Sequence, residues 1–179
     1  MIKTATVIQL FRHVFVWLNR IGHCRGFGLQ SPADYWLVRY VINEHWPYYQ
    51  YANLGGEDDW LTRKLGFLYF RISNWRQPHV IESAGFQRYL HAGCQKAEFG
   101  DSTELIRLTV EGDCRSRLAA IYNKVENGTI LIVEGIYRQR AFWEGIVADE
   151  RARVTFDLYY CGIVLFDKKR HKTNYIINF

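Results

Sequence analysis

The stretch "TILIVEG", Thr129 to Gly135, constrains the fold of this chain more than any other. Four aliphatic residues run in succession without polar alternation, which predicts a strand covered on both faces, as inside a parallel sheet. Other strand-like runs flank it. "HVIES", His79 to Ser83, is a short strand, "QRYLHAG" holds at most a short helix, and "ELIRLTVEG", Glu104 to Gly112, contains the next strand. "RSRLAAIYNKVENG", Arg115 to Gly128, has helical patterning and a glycine to end it. After "RQRAFWEGIVADE", Arg138 to Glu150, a further helix, "RVTFDLYYCG" and "IVLFD" read as two strands across Arg153 to Asp167. "TNYIINF", Thr173 to Phe179, then continues the last pairing. The alternation βαβαβ followed by a hairpin predicts an α/β sheet with a mixed edge.

Before Pro78 the pattern is helical. Val7, Leu10, Phe11, Val14, Phe15, Leu18 and Ile21 recur at helical spacing and form one broad apolar face, expected to be buried or amphipathic. "GHCRGFGLQ", Gly22 to Gln30, breaks that helix. Ser31 then caps a second, with Pro32 at its first position, Asp34 in its first turn, and Leu37, Val38, Val41 and Ile42 facing the core. "HWPYYQYANLGG", His45 to Gly56, is an irregular connection whose aromatic cluster seals a domain edge or contacts a ligand, packing being favoured. A third helix is expected from Glu57 to Asn74. The chain therefore divides into a helical segment, 1–56, packed on an α/β core, 57–179.

The 179 residues and 49% hydrophobic content suffice for a buried core. Lys and Arg exceed Asp and Glu by 23 to 18, a small excess for a nucleic-acid binder, and the densest basic run, "DKKRHK" at Asp167 to Lys172, reads as a solvated turn. Cys24, Cys94, Cys114 and Cys161 are widely spaced without a CxxC, so buried free thiols are expected in place of a zinc site or redox pair. "NGT" at Asn127 is expected to form a turn. Arg12 and His13 interrupt the first apolar stretch, which favours a helix of the folded body over a membrane span and makes a cytoplasmic, membrane-free protein the default.

Glu82, Glu111 and Glu134 each fall near the C-terminal end of a predicted strand, where open α/β sheets form their ligand rim. Glu82 is placed to accept hydrogen bonds beyond its strand and Gly85 to allow close approach, yet Ala84, Phe86 and Arg88 stand where a glycine-rich loop would keep side chains small. The residue chemistry favours a structural strand exit over a ligand site. No HExxH, facial-triad spacing, GxSxG elbow or P-loop lysine is present, and no metal site is expected.

"RGFGLQSP" at Arg25 to Pro32, "ENGTILIVEGIYRQRAFWEGI" at Glu126 to Ile146 and "VTFDLYYCGIVLFDKK" at Val154 to Lys169 together resemble a bacterial family of S-adenosylmethionine-dependent methyltransferases of the class I, Rossmann-like type. Gln30 and Ala33 depart from the His and Phe of the family's His-Ser-Pro-Phe signature, and Glu134-Gly135 stands at its acidic pair. The resemblance implies an abbreviated Rossmann-like α/β fold of about five strands with a C-terminal antiparallel hairpin, preceded by helices. The short interval from Glu82 to Glu104 leaves no room for the family's second and third strands, which implies a sheet order of 1-4-5-7-6 in the family's labels and exposes strand one as an edge. With those strands goes much of the cofactor's binding surface. The expected protein is thus a methyltransferase-like chain without ordinary S-adenosylmethionine binding, acting in assembly through an exposed sheet edge or aromatic surface as a homo-oligomer. The alternative is an active methyltransferase, in which Glu82, Gly85 and Glu111 would touch the cofactor and Glu134 and Tyr137 the methyl acceptor.

Overall fold

A computed structural model describes residues 4–26 and 28–179, with the side chains of 4–10, 24 and 25 left aside. Its elements are α1 (Thr4–Asn19), α2 (Pro32–Leu37), α3 (Trp60–Arg76), β1 (Val80–Ser83), α4 (Gln87–Gly93), β2 (Glu98–Phe99), β3 (Leu105–Thr109), α5 (Cys114–Lys124), β4 (Thr129–Glu134), α6 (Arg140–Ala148), β5 (Val154–Asp157), β6 (Cys161–Phe166) and β7 (Thr173–Ile176). They build a mixed α/β fold around a seven-stranded sheet of order β2-β1-β3-β4-β6-β5-β7. β6 runs antiparallel to both of its neighbours, while the remaining pairings are parallel.

The inner five strands, β1-β3-β4-β6-β5, take the expected order, but the expected count of five is corrected to seven. β2 is two residues long and pairs in parallel beside β1, so the interval after Glu82 does hold one more strand and β1 is not the sheet edge. β7, expected to continue the last pairing after the basic turn, adds to β5 and does so in parallel. The hairpin turn also lies earlier than the glycine implied. Asp157 Oδ1 accepts from the Tyr159 amide at 2.9 Å, and Tyr159 adopts φ 71°, so the chain reverses over 158–160. Gly162 lies inside β6 because a Cβ there would overlap the Trp143 ring.

Strand alternation divides the core in two. Ile81, Leu105, Ile130, Ile132 and Ile163 face Leu65, Leu68, Tyr69 and Ile72 of α3, together with Val38, Val41 and Ile42. Ile106, Leu108, Leu131, Val133 and Val164 face Ile121 of α5 and Phe142, Trp143 and Ile146 of α6. α2 starts as anticipated, with Ser31 Oγ accepting from the Asp34 amide at 3.4 Å, and runs into a π-helical turn, Val38–Ile42. Asp34 is fully buried and paired with Arg170, so the basic turn is docked at that residue, while Lys168 and Lys169 stay exposed. α3 begins one turn later than expected, because Asp59 caps the amides of Leu61 and Thr62 at 2.8 and 3.1 Å. Cys94, Cys114 and Cys161 are buried and free; Cys24 lies outside the described side chains.

α1 reverses its expected orientation. Phe11, Val14, Phe15, Leu18 and the following Ile21 are 70, 48, 65, 53 and 54% exposed, whereas the more polar stripe His13, Val16 and Arg20 faces the body. Arg20 Nη2 donates to the Asp157 carbonyl at 2.8 Å and to Oδ1 at 2.9 Å, and His13 Nδ1 bonds the Tyr160 hydroxyl. The side chains of Val7 and Leu10 lie outside the described residues. Directional contacts to the β5–β6 turn, not apolar burial, fix this helix. Among the described residues no helix is long and apolar enough to cross a membrane.

Candidate functional site

A cleft of about 350 Å³ opens at the C-terminal ends of β3 and β4, walled by Leu61 and Leu65 of α3 and by Tyr137 and Tyr160. At its floor is Arg107, the middle residue of β3, which is 5% exposed on the α3 side of the sheet. Its Nε and Nη2 donate to Glu134 Oε2 at 3.0 and 2.8 Å, and its Nη1 donates to the Ala84 carbonyl at 2.9 Å. One guanidinium thus ties together the ends of β1, β3 and β4. Tyr69 donates its hydroxyl to the same Glu134 oxygen at 2.7 Å. Burial, reinforced by the Glu134 carboxylate, holds the Tyr69 phenol well above its usual range and therefore protonated.

The loop leaving β1 closes over this bridge. Gly85 and Phe86 adopt φ 112° and 56°, left-handed conformations that cost Phe86 about 1 kcal/mol or more. This turn sets the Phe86 ring against the guanidinium, with the Arg107 Cζ 4.7 Å from the ring centroid, and edge-on to Tyr69 at 4.9 Å. An aromatic side chain thus covers the arginine where a glycine loop would leave room for a phosphate.

Glu134 and Tyr137 line the cleft, and Glu111, 70% exposed, lines its rim and pairs with Arg138. Arg138 Nε also donates to the Tyr137 hydroxyl at 3.0 Å, and the Arg12 guanidinium packs over the Tyr137 ring at 4.9 Å. Glu82 and Gly85 are not part of this gathering. Register pairs Glu82 with Ile106, which puts it on the α5 side, where Lys124 of α5 engages both Glu82 and Asp101. Gly85 lines a neighbouring groove with Asp58 and Arg88.

Arg107 is the residue that sequence reasoning missed. A charge inside "LIRLT" shares the alternation of Leu105, and Glu134 shares that of Ile130 and Ile132, so the two fall on one face once β3 and β4 are paired. Both acids of the cleft are matched by guanidinium groups, and three donors converge on Glu134 Oε2. Burial, with Tyr159 beside it, pushes the Tyr160 phenol up to about 12, so it too is neutral. The arrangement is an internally neutralised crevice. Among the described residues, no three His, Cys, Asp or Glu side chains gather into a group that could hold a metal ion. Compared with family models, with curated proteins and with solved structures, the chain finds no match in any of the three.

Proposed function

We propose that this chain is a shortened methyltransferase-like protein that does not bind S-adenosylmethionine in the ordinary way and that works by pairing with a second copy of itself. The observation that carries the reading is the Arg107 bridge: the floor of the crevice at the strand ends is a guanidinium already bound to Glu134 and Ala84 and covered by Phe86. A nucleoside that took Glu134 as its hydrogen-bond acceptor would have to displace Arg107 from a largely buried ion pair, and leaving one partner uncompensated costs about 3–5 kcal/mol. The inner strand order and the antiparallel β6 support the kinship with the methyltransferase sheet. The two-residue β2 is too short to supply the ribose and adenine walls of the full fold.

α1 supplies the assembly surface. Phe11, Val14, Leu18 and Ile21 are spaced 3, 4 and 3 residues apart, the alternation of a helix-pairing seam. No basic residue lies in this stripe, which favours a like helix over an anionic membrane as the partner. Calorimetric titration with S-adenosylmethionine and its demethylated product tests the first half: no saturable heat is expected, and tight stoichiometric binding overturns it. Sedimentation tests the second. The protein should have twice the chain mass and the Phe15→Asp, Leu18→Asp variant the single mass, whereas a monomeric wild type contradicts assembly.

A further inference from the structure

A second cavity, of about 340 Å³, lies between α3 and the chain following the π-helical turn, away from the strand-end crevice. Lys64, Phe67 and Arg71 fall on one stripe of α3 at i, i+3 and i+7 and line it. Its apolar wall is the stacked pair Tyr51 and Phe67, with ring centroids 3.9 Å apart and planes at 14°. Trp46, 76% exposed, stands at the mouth.

The cations of this cavity are unlike the other buried ones. Arg107, Arg20 and Arg170 each meet a carboxylate, but among the described residues neither Lys64 nor Arg71 has an acid within 4.0 Å. Arg71 is 7% exposed. Its Nε and Nη2 donate to the carbonyls of Val41 and Ile42 at 2.6 and 2.9 Å, and its Nη1 to the Tyr51 hydroxyl at 3.3 Å. The two carbonyls are the open end of the π-helical turn, so Arg71 caps it with two of its five N–H groups, gives a third to Tyr51 and keeps two unspent. Lys64 has no acceptor among the described residues and meets only the faces of Trp60 and Phe179, at 5.1 and 4.5 Å. Burial, and secondarily Arg71, bring its ammonium down to about 8. Glu44, an acid in the cavity wall, accepts from the amides of His45 and Trp46, both at 3.2 Å, and forms an ion pair with neither cation.

A cavity in which unmatched positive charge stands beside stacked aromatic rings suits a ligand that joins an anionic group to an aromatic ring. We infer that this cavity is a binding site for a small aromatic carboxylate, whose carboxylate accepts from Lys64 and the unspent N–H groups of Arg71 while its ring lies against Tyr51 and Phe67. The site is separate from the strand-end crevice and holds whether or not that crevice binds a nucleoside.

Phenylacetate is a suitable probe, and phenylacetamide its neutral counterpart. Titrated into the full chain at neutral pH and low salt and followed by amide NMR shifts, phenylacetate should bind more tightly by about tenfold or more, the effect of a charge-assisted hydrogen bond. Shifts should centre on residues 42–51 and 64–71. Lys64→Gln should lose most of that advantage, Arg71 keeping the remainder, without changing the amide's affinity, and Lys64→Arg should retain it. Because Lys64 carries no intramolecular hydrogen bond among the described residues, both variants should give the spectrum of the folded protein in the absence of probe. Equal affinity for acid and amide, undiminished acid binding by Lys64→Gln, or no shift with either probe would overturn the site.

Discussion

Arg107 and Lys64 are both drawn out of bulk water on the α3 side of the sheet, but their surroundings treat the charge in opposite ways. Arg107 meets Glu134, the Ala84 carbonyl and the Phe86 ring, so its charge is spent within the protein. Lys64 meets aromatic faces and another cation. The difference teaches where this chain can act on a ligand: a matched charge holds strands together, while an unmatched one leaves an electrostatic deficit that an outside anion can fill. By that measure the proposed ligand site is the cavity beside α3 and not the strand-end crevice, the usual ligand rim of an open α/β sheet.

Breaking the matched pair should give the largest effect. Arg107→Ala leaves Glu134 without its guanidinium partner, and denaturant unfolding should register a loss of about 3–5 kcal/mol. The double variant Arg107→Met, Glu134→Leu should recover most of it, because nothing is then left unpaired. A double variant as unstable as the single one would show that the pair's worth lies in shape and not in charge.

Asp157 extends the matched side of the comparison, since one carboxylate receives both Arg20 and Arg140. Burial works against its charged form, but hydrogen bonds from Arg140, Arg20 and the Tyr159 amide prevail and hold it below the usual carboxylate range. A depressed folded value means that its contribution is complete above the ordinary value of 3.8 and fades as the pH falls through the folded one. Arg20→Met should cost about 2 kcal/mol at neutral pH, flatten this acid limb, and free α1, seen as faster amide exchange in 11–20. Unchanged exchange there would mean that α1 is held by other contacts.

Replacing the unmatched cation should have a smaller effect of opposite sign. Lys64→Met removes a desolvated charge without orphaning a partner, so stability should rise by about 1 kcal/mol. The pH dependence carries the same signature. With Lys64 at about 8 in the fold and 10.5 when unfolded, the unfolded chain binds more protons between those values, so wild-type stability should climb across that window and the variant's should not. Arg71 lowers the Lys64 value, Cys161 raises it, and His13 senses the same ammonium. A destabilised Lys64→Met would indicate that the cation–π contacts outweigh the missing counter-charge.

Much of the framework was legible in the sequence. The unbroken apolar run of β4 and the capped start of α2 follow from local patterning, while the inner strand order was implied by the family resemblance. What escaped depends on pairing that a sequence does not display. β2 is held by two residues beside β1, and no period can be read from two residues. α1 has a strong apolar periodicity, which predicts burial, but Arg20 and His13 decide which side faces inward. Within the site, Glu111 and Glu134 were singled out by their position after a strand and both line the crevice, whereas Arg107 was hidden inside a strand and Lys64 and Arg71 inside a helix. Their meaning arises only from which acids stand near them.

The comparison is tested most directly by the protonation of the lysines themselves, followed through the ¹³Cε shifts of labelled lysine as the pH is raised. Lys64 should titrate at about 8, while Lys124, which burial disfavours but Glu82 and Asp101 hold charged, should titrate above the ordinary 10.5. If Lys64 instead titrates together with the exposed lysines, its charge is already matched and the distinction between the two regions fails.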